Sequence, residues 1–269
     1  MSPSFAPLRL YCGLLLLIAG TTHVGAFLDR RYNLDQKPQI LDALEFAKPG
    51  CPTGLTIDVG ANGGKESREA RRKGYEVLAI ECLRKEYFKL ATGPDRLTND
   101  SKITLINGCA SDKVGVGRMY EAGASSSLHP EAVAQDHEKE VFKKNKNTIN
   151  DVVTFPLDPI IEGWHTPQPV CVVKIDTQGH EMAVLKGLKG TIRKHRPVVI
   201  FELDPRFGPQ TNLSAPWLTE RFNYDCAVPV PGRYAGSDCK VCNVLCMPDR
   251  AMWDLPRPKH SAAMRERFG

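Results

Sequence analysis

Long apolar runs are almost absent from this chain. The extended hydrophobic stretch Leu10–Gly20 is too short to span a bilayer comfortably, and Thr21, Thr22 and His23 interrupt it. With Arg9 before it and the small residues Val24-Gly25-Ala26 after it, residues 1–26 have the layout of a signal peptide cut before Phe27. Uncleaved, the same segment would be a signal anchor and the chain's attachment to a membrane. A two-part organelle presequence beginning at Phe27 is the alternative, although Asp29 and Asp35 sit badly with acid-poor transit peptides. An excess of one charge is lacking too: Lys+Arg 36 against Asp+Glu 31 leaves only +5. Arg30-Arg31, Arg71-Arg72-Lys73 and Lys143-Lys144 are scattered and read as solvated faces, not as the concentrated basic surface that nucleic acid requires. Aromatics are few, at 7%, and Trp164, Trp217 and Trp253 are isolated packing residues rather than a stacking platform. There is no internal repeat and no second hydrophobic core. At 269 residues, 42% hydrophobic and 25% charged, the composition is that of one globular domain.

A dinucleotide fingerprint is missing where one would be sought. The apolar run Thr56-Ile57-Asp58-Val59 breaks into Gly60-Ala61-Asn62-Gly63-Gly64, the pattern of a buried parallel strand running out into a loop that passes close to a ligand. A pyrophosphate cradle needs G-x-G-x-x-G, yet the slots counted from Gly60 hold Gly60, Asn62 and Lys65. A nicotinamide oxidoreductase is therefore disfavoured. A second apolar strand, residues 76–81, ends in Glu81, 21 residues after Gly60, the spacing that sets an acid beside the ribose hydroxyls of a nucleoside. An adenosyl ligand without phosphates, S-adenosylmethionine, satisfies both features, with its methionine end on the glycine loop and its ribose on Glu81.

Periodicity and turn residues lay out the rest. Residues 27–50 form an N-terminal extension with an amphipathic helix at Ile40–Ala47. Strands are expected at Leu55–Val59, Val77–Ile80, Ile103–Asn107, Val152–Leu157, Cys171–Asp176 and Val198–Glu202. Helices are expected from Lys65 to Lys73, Lys85 to Ala91, and His180 to Leu188 with a further turn to His195. Residues 113–150 read as an insertion of loops and one helix. Tyr224–Val228 and Asn243–Met247 read as a hairpin closing the sheet edge. The domain covers residues 51–250, and 251–269 form a tail. Alternating strands and helices of this kind make one α/β domain.

Five motifs in order carry a family resemblance: Ile57-Asp58-Val59-Gly60-Ala61-Asn62-x-Gly64; Ala79-Ile80-Glu81; Leu157-Asp158; Lys174-Ile175-Asp176-x-x-Gly179-x-Glu181 with Leu185-Lys186-Gly187; and Pro197 to Phe201-Glu202. Over residues 55 to 205, or 247 with the hairpin, the chain resembles the FkbM family of methyltransferases. The resemblance implies a doubly wound, seven-stranded, mostly parallel sheet of the class I, Rossmann-like kind with an antiparallel terminal hairpin. It also implies S-adenosylmethionine as donor and an oxygen acceptor. Two departures stand out. Lys65-Glu66-Ser67-Arg68-Glu69 replaces the family's apolar helix face, so this helix sits differently or faces a partner. Gln178 replaces an acid before Gly179, which removes a negative charge near the reacting centre.

Expected roles follow. Glu81 accepts from the ribose hydroxyls. Gly60 and Gly64 permit close approach of the loop, Asn62 tolerates left-handed geometry and turns its amide to the amino-acid end, and Asp58 binds loop amides or a water on the ammonium. Cys109 and Ala110 follow the third strand, where an adenine edge would lie, and Cys82 joins them. Cys82 and Cys109 are either a disulfide or ordinary buried thiols. Asp176, at the carboxyl end of a central strand, and His180 are the catalytic candidates, because methyl transfer needs positioning and removal of the acceptor's proton. His180 also reads as an ordinary helix N-terminal residue, and Glu181 as an anchor for that helix. Ser125–Ser127 and His129 line an acceptor pocket or belong to a mobile insertion, and Asp158 holds a turn.

Of the nine cysteines, all but Cys12 lie beyond the leader, an even number that suits an oxidising compartment. The sequons at Asn99 and Asn212 agree with it. Cys239-Lys240-Val241-Cys242, with Cys226 and Cys246, invites a zinc reading, but Cys226 has no near partner in sequence; disulfides are preferred and no metal site is expected. The sequence thus points to O-methylation of a glycan or small-metabolite hydroxyl in the secretory pathway. The alternative is a secreted protein that keeps the fold and has lost turnover. Oligomeric state is not encoded in these features.

Overall fold

A computed structural model describes residues 39–130, 148–164, 167–204, 213–227 and 242–248. The expected leader, residues 27–38 of the extension, residues 131–147 of the insertion, Cys239, Asn212 and the tail lie outside these.

The main sheet is built from β1 (Leu55–Val59), β2 (Glu76–Glu81), β3 (Ile103–Asn107), β7 (Val170–Ile175), β8 (Val198–Leu203), β9 (Asp225–Ala227) and β10 (Cys242–Met247). Their spatial order is β3-β2-β1-β7-β8-β10-β9. The first five run parallel, and β10 pairs antiparallel with both β8 and β9. β1 and β7 are buried along their whole length, as expected of apolar runs covered on both faces. Strand order reverses between β1 and β7. A doubly wound sheet opens its ligand crevice at the carboxyl ends on either side of such a switch point.

Residue alternation assigns the two faces. Val77 and Ala79 join one core with helix α1 (Ile40–Ala47), Ala70 and Leu90, while Leu78 and Ile80 join the other with Val184, Leu185, Ile192 and Leu218. Ala70 belongs to α2 (Lys65–Arg72) and Leu90 to α3 (Arg84–Thr92). The second core is covered by α4 (Asp158–Glu162), α5 (Glu181–Gly187), α6 (Lys189–His195) and α7 (Ser214–Phe222).

The polar helix α2 packs on the sheet in spite of its sequence. It buries only Ser67 and Ala70, both small enough for close approach. Polar contacts do the rest: Ser67 Oγ donates to Asp58 Oδ2 at 2.6 Å, Arg71 Nε pairs with Asp100 at 2.8 Å and Lys73 with Glu45 at 2.5 Å. A buried hydrogen bond to a charged acceptor contributes about 1.5–3 kcal/mol, comparable to burying one aliphatic side chain.

Residues 113–150 differ from expectation. Besides the 3₁₀ turn Gly123–Ser125, they contain β5 (Gly115–Tyr120), which pairs antiparallel with β6 (Ile149–Phe155); β6 in turn pairs with β4 (Cys109–Ala110) in a small second sheet. β5 escapes a periodicity search because Gly115 and Gly117 stand at alternate positions and Val116 is 74% exposed, so no apolar face forms. The terminal pair is present, with Cys226 opposite Cys246 and bonded to it. That pairing removes both from a zinc set. Cys51 is bonded to Cys171, tying the segment after α1 to β7, a link the sequence did not suggest. Cys82 is bonded to Cys109.

Candidate active site

The cleft opens above the carboxyl ends of β1, β2 and β7, and each wall follows from local chain geometry. β1 runs out into Gly60, at φ 81°, where any β-carbon would collide with the backbone carbonyl oxygen of Asp176. Glycine is needed here so that the loop can pass against the end of β7. The Gly60 and Ala61 N–H groups donate to the carbonyl of Ile80, at 2.9 and 3.1 Å, which lays the loop over the tip of β2. Asn62 is left-handed, at φ 43°, and its N–H donates to Glu81 Oε2 at 2.8 Å. From the other side the Leu83 N–H donates to Glu81 Oε1 at 2.7 Å.

Glu81 is thus held at both oxygens, each with one lone pair spare for a ligand. The residue is 5% exposed and lines the cleft. Burial pushes its pKa up, against the two N–H groups and the charge of Lys174.

Asp58 and Gly64 lie behind this wall rather than on it, so their expected contact with a ligand needs correction. Asp58 alternates to the α2 face, is 1% exposed, accepts from Ser67, and sits 3.1 Å from Lys174 Nζ. Gly64, at φ 70°, precedes α2, and a β-carbon there would press on Leu90 and Leu97. Its glycine serves helix packing.

Lys174 is the functional residue that sequence reasoning quoted without a role. It is the register partner of Asp58 on the neighbouring strand. Its Nζ donates to the Gly60 carbonyl at 2.8 Å and lies 3.9 Å from Asp176 Oδ2. Burial opposes its charge, but Asp58, Asp176 and Glu66 outweigh that and hold its pKa above the usual lysine range. A lysine inside the apolar run Val172-Val173-Lys174-Ile175 was itself the signal, since such a charge is buried only when paired.

On the adenine side expected from strand order, Cys82, Cys109 and Ala110 line the cleft. The Cys82–Cys109 bridge joins the residue after β2 to the start of β4, two residues beyond the tip of β3, with 4.6 Å between the Cα atoms. Asn107 Nδ2 braces the same corner by donating to the Glu81 carbonyl at 2.9 Å.

At the opposite end Asp176 and His180 also line the cleft. The Asp176 side chain is 40% exposed. Gln178, left-handed at φ 53°, donates from Nε2 to Asp176 Oδ1 at 2.8 Å and to Glu202 Oε2 at 2.6 Å. Where the resemblance implied a third carboxylate, this amide bridges two.

His180 has both ring nitrogens engaged, Nε2 with Ser111 Oγ at 3.0 Å and Nδ1 with His129 Nε2 at 3.4 Å. Burial, then the neighbouring His129, lower its pKa to about 4 against the pull of Asp112. It is a neutral imidazole at neutral pH, able to hold a proton on one nitrogen and accept at the other.

Residues 122–129 are part of the site. Gly123, Ser126 and Leu128 line the cleft, and Ser127 Oγ donates to the Gln178 carbonyl at 2.6 Å. Glu181, 2% exposed, accepts from the N–H groups of Thr177 and Gly179 and from the Thr177 hydroxyl, each at 3.1 Å, so it anchors the loop beneath Gln178. Burial raises its pKa to about 7 despite these bonds. Asp158 caps the start of α6 through the N–H groups of Gly190 and Thr191, at 2.6 and 2.8 Å.

The family described as Methyltransferase FkbM domain matches residues 58–225, more than half of the chain and the whole of this cleft. The chain belongs to the FkbM methyltransferase family. Among curated proteins it is 27% identical over 143 residues to the hexuronic acid methyltransferase AglP of Haloferax volcanii, covering 53% of each chain. It thus spans about half the length of that relative. Among solved structures it resembles the FkbM methyltransferase of Methylobacillus flagellatus KT, with 16% identity, a TM-score of 0.50, and coverage of 86% of this chain and 59% of the other. That likeness shows the shared fold.

The cofactor of this FkbM chain is S-adenosylmethionine. Its residues fit that group. Glu81 keeps acceptor capacity for a diol, the Gly60–Asn62 bend leaves bare backbone on the cleft, and Gly108 and Ala110 leave a wall without bulk.

Proposed function

We propose that this protein transfers a methyl group from S-adenosylmethionine to a hydroxyl oxygen of a glycan or small hydroxylated metabolite, a uronic-acid-containing sugar being the first class to try. The observation that carries the reading is the pairing, across one cleft, of the clamped Glu81 carboxylate with the half-exposed Asp176 carboxylate. The acceptor class draws on the hexuronic acid named for the curated relative. The secretory lumen draws on the leader-like N-terminus and on disulfides at Cys51–Cys171, Cys82–Cys109 and Cys226–Cys246.

S-adenosylmethionine, when bound, supplies a methyl group on a sulfonium. The chain supplies position and a place for one proton. Glu81 would take the ribose hydroxyls on its spare lone pairs, and Asn62 with the bend backbone would take the amino-acid end. Ala110 and the Cys82–Cys109 wall would flank the adenine. Asp176 Oδ2 accepts a hydrogen bond from the acceptor hydroxyl and orients it. Neutral His180 receives the proton at its unprotonated ring nitrogen once that nitrogen gives up its contact with Ser111 or His129. Lys174 fixes the bend and Asp176 relative to each other.

Incubating the protein with methyl-labelled S-adenosylmethionine and glycan or metabolite fractions tests this. Label that survives mild alkali, as a methyl ether does, is the expected result. Alkali-labile label would move the site of transfer to a carboxylate and overturn the hydroxyl assignment. A second reading, cofactor binding without turnover, draws on His180, both of whose nitrogens are occupied within the protein. It predicts binding with no labelled product in any fraction.

A further inference from the structure

We infer that the Cys82–Cys109 disulfide is a thiol-exchange site that sets cofactor affinity, with the oxidised protein as the tight-binding form. The inference rests on the placement of the nucleoside against Glu81 and the β2–β3 corner proposed above. Three observations carry it.

The first is position. Cys82 directly follows Glu81, and both cysteines line the cofactor cleft. The bridge joins the residue after β2 to the start of β4 on the adenine side. The other two bridges lie elsewhere: Cys51–Cys171 ties the segment after α1 to β7, and Cys226–Cys246 joins the terminal strands. They staple the fold without touching the cleft wall.

The second is coupling to the carboxylate. The corner Glu81-Cys82-Leu83 is the segment whose Leu83 N–H holds Glu81 Oε1, while the Asn107 side chain holds the Glu81 carbonyl from β3. A covalent link from Cys82 to Cys109 fixes this corner before the ligand arrives, and such preorganisation strengthens binding. Two separate thiols must stand farther apart than two bonded sulfurs. Here the room comes either from the cleft or from parting of the strand tips that aim Glu81.

The third is access. Cys82 also lines a neighbouring groove with Leu83, Arg84, Phe88 and Val153. It is partly exposed whereas Cys109 is 4% exposed, so Cys82 is the half of the bridge that a small dithiol meets. Attack at Cys82 releases Cys109 as the thiolate.

The exchange balances with a dithiol reductant. One reductant thiolate attacks a sulfur of the bridge, forming a mixed disulfide and releasing the other cysteine as a thiolate that takes up a proton. The second reductant thiol then resolves the mixed disulfide, leaving two protein thiols and an oxidised reductant. Binding and bridge are reciprocal: if the bridge strengthens cofactor binding by some factor, the cofactor makes the bridge harder to reduce by the same factor.

The test uses S-adenosylhomocysteine as probe and calorimetry as readout, on the full chain purified in air and on the same protein treated with dithiothreitol. Alkylation and peptide mass mapping follow the state of Cys82 and Cys109. Reduction is expected to weaken binding about tenfold, reversibly on reoxidation, and saturating probe to shift the midpoint of the pair by about 30 mV to more reducing potential. C82S/C109S should bind as weakly as the reduced protein and ignore dithiothreitol, while C51S/C171S keeps both the affinity and its redox sensitivity. Equal affinity of oxidised and reduced protein overturns the inference, as does the absence of a Cys82–Cys109 crosslinked peptide. If the double variant fails to fold, the reduction series on the C51S/C171S background decides alone. Failure of the oxidised wild-type protein to bind the probe would instead sink the nucleoside placement, and the switch with it.

Discussion

The backbone N–H of Asn62 reaches across from the end of β1 to Glu81 at the end of β2, donating to its carboxylate at 2.8 Å. The bend and the acid are therefore one unit. A loop that shifts drags the carboxylate with it, and a missing carboxylate frees the loop.

Replacing Glu81 by Ala should weaken S-adenosylhomocysteine binding roughly ten- to a hundredfold, at about 1.4 kcal/mol per decade. Glu81→Gln, which keeps the shape and offers one acceptor to the clamp, should fall between wild type and Glu81→Ala. Calorimetry on the folded variants checks this; unchanged affinity removes Glu81 from the site.

Lys174→Met leaves Asp58 buried without its partner. Breaking a buried pair from one side is expected to lower stability by about 3–5 kcal/mol. Adding Asp58→Asn should restore part of the loss, because the stranded charge disappears. Urea denaturation of the two variants measures it, and simple additivity of the two losses would show that the pair is uncoupled.

The acid limb of stability carries two opposed contributions. His180 stays neutral in the folded protein down to about pH 4, against 6.5 for an ordinary histidine, so its contribution is complete above pH 6.5 and lost as pH falls toward 4. Glu181 stays protonated in the fold up to about pH 7, against an ordinary 4.5, so its contribution is complete below 4.5 and lost as pH rises toward 7. Between about pH 4.5 and 6.5 the two oppose each other. Glu181→Gln should make stability climb more steeply with pH across this window, and His180→Gln should turn the slope downward. Denaturation midpoints at several pH values read the slopes, and identical slopes in the two variants would contradict this account.

Gln178→Glu sets a third carboxylate beside Asp176 and Glu202 and removes the amide that bridges them. The expected loss is about 1–3 kcal/mol at neutral pH, shrinking on acidification as one of the acids takes a proton. The pH series just described also measures this variant, and a pH-independent loss would locate the effect in packing instead.

The parts of this protein that were readable in advance are those whose chemistry is local. The run Leu55–Val59 breaking into Gly60, and the acid at Glu81, specify a strand, a bend and a carboxylate without reference to the rest of the chain. So do the apolar stripe at Ile40–Ala47 and the terminal pair of strands. What stayed hidden depends on contacts between distant residues. Asp58 looked like a ligand-facing acid because it stands two residues before the glycine bend; only alternation against Lys174 turns it beneath α2. β5 has no apolar face, so nothing in Gly115–Tyr120 announces a strand until β6 lies beside it. The engagement of Ser127 with Gln178 spans 51 residues, and turn-rich composition made that region look like an ornament. The helix at Lys65 ends at Arg72, one residue short of expectation, and small buried residues with salt bridges stand in for the apolar face.

Gly60 touches the carbonyl of Asp176, and Lys174 holds both from below. The bend after β1 and the tip of β7 therefore share a single joint. In the reading proposed above, whatever tilts the bend under one substrate also re-aims the Asp176 carboxylate toward the other.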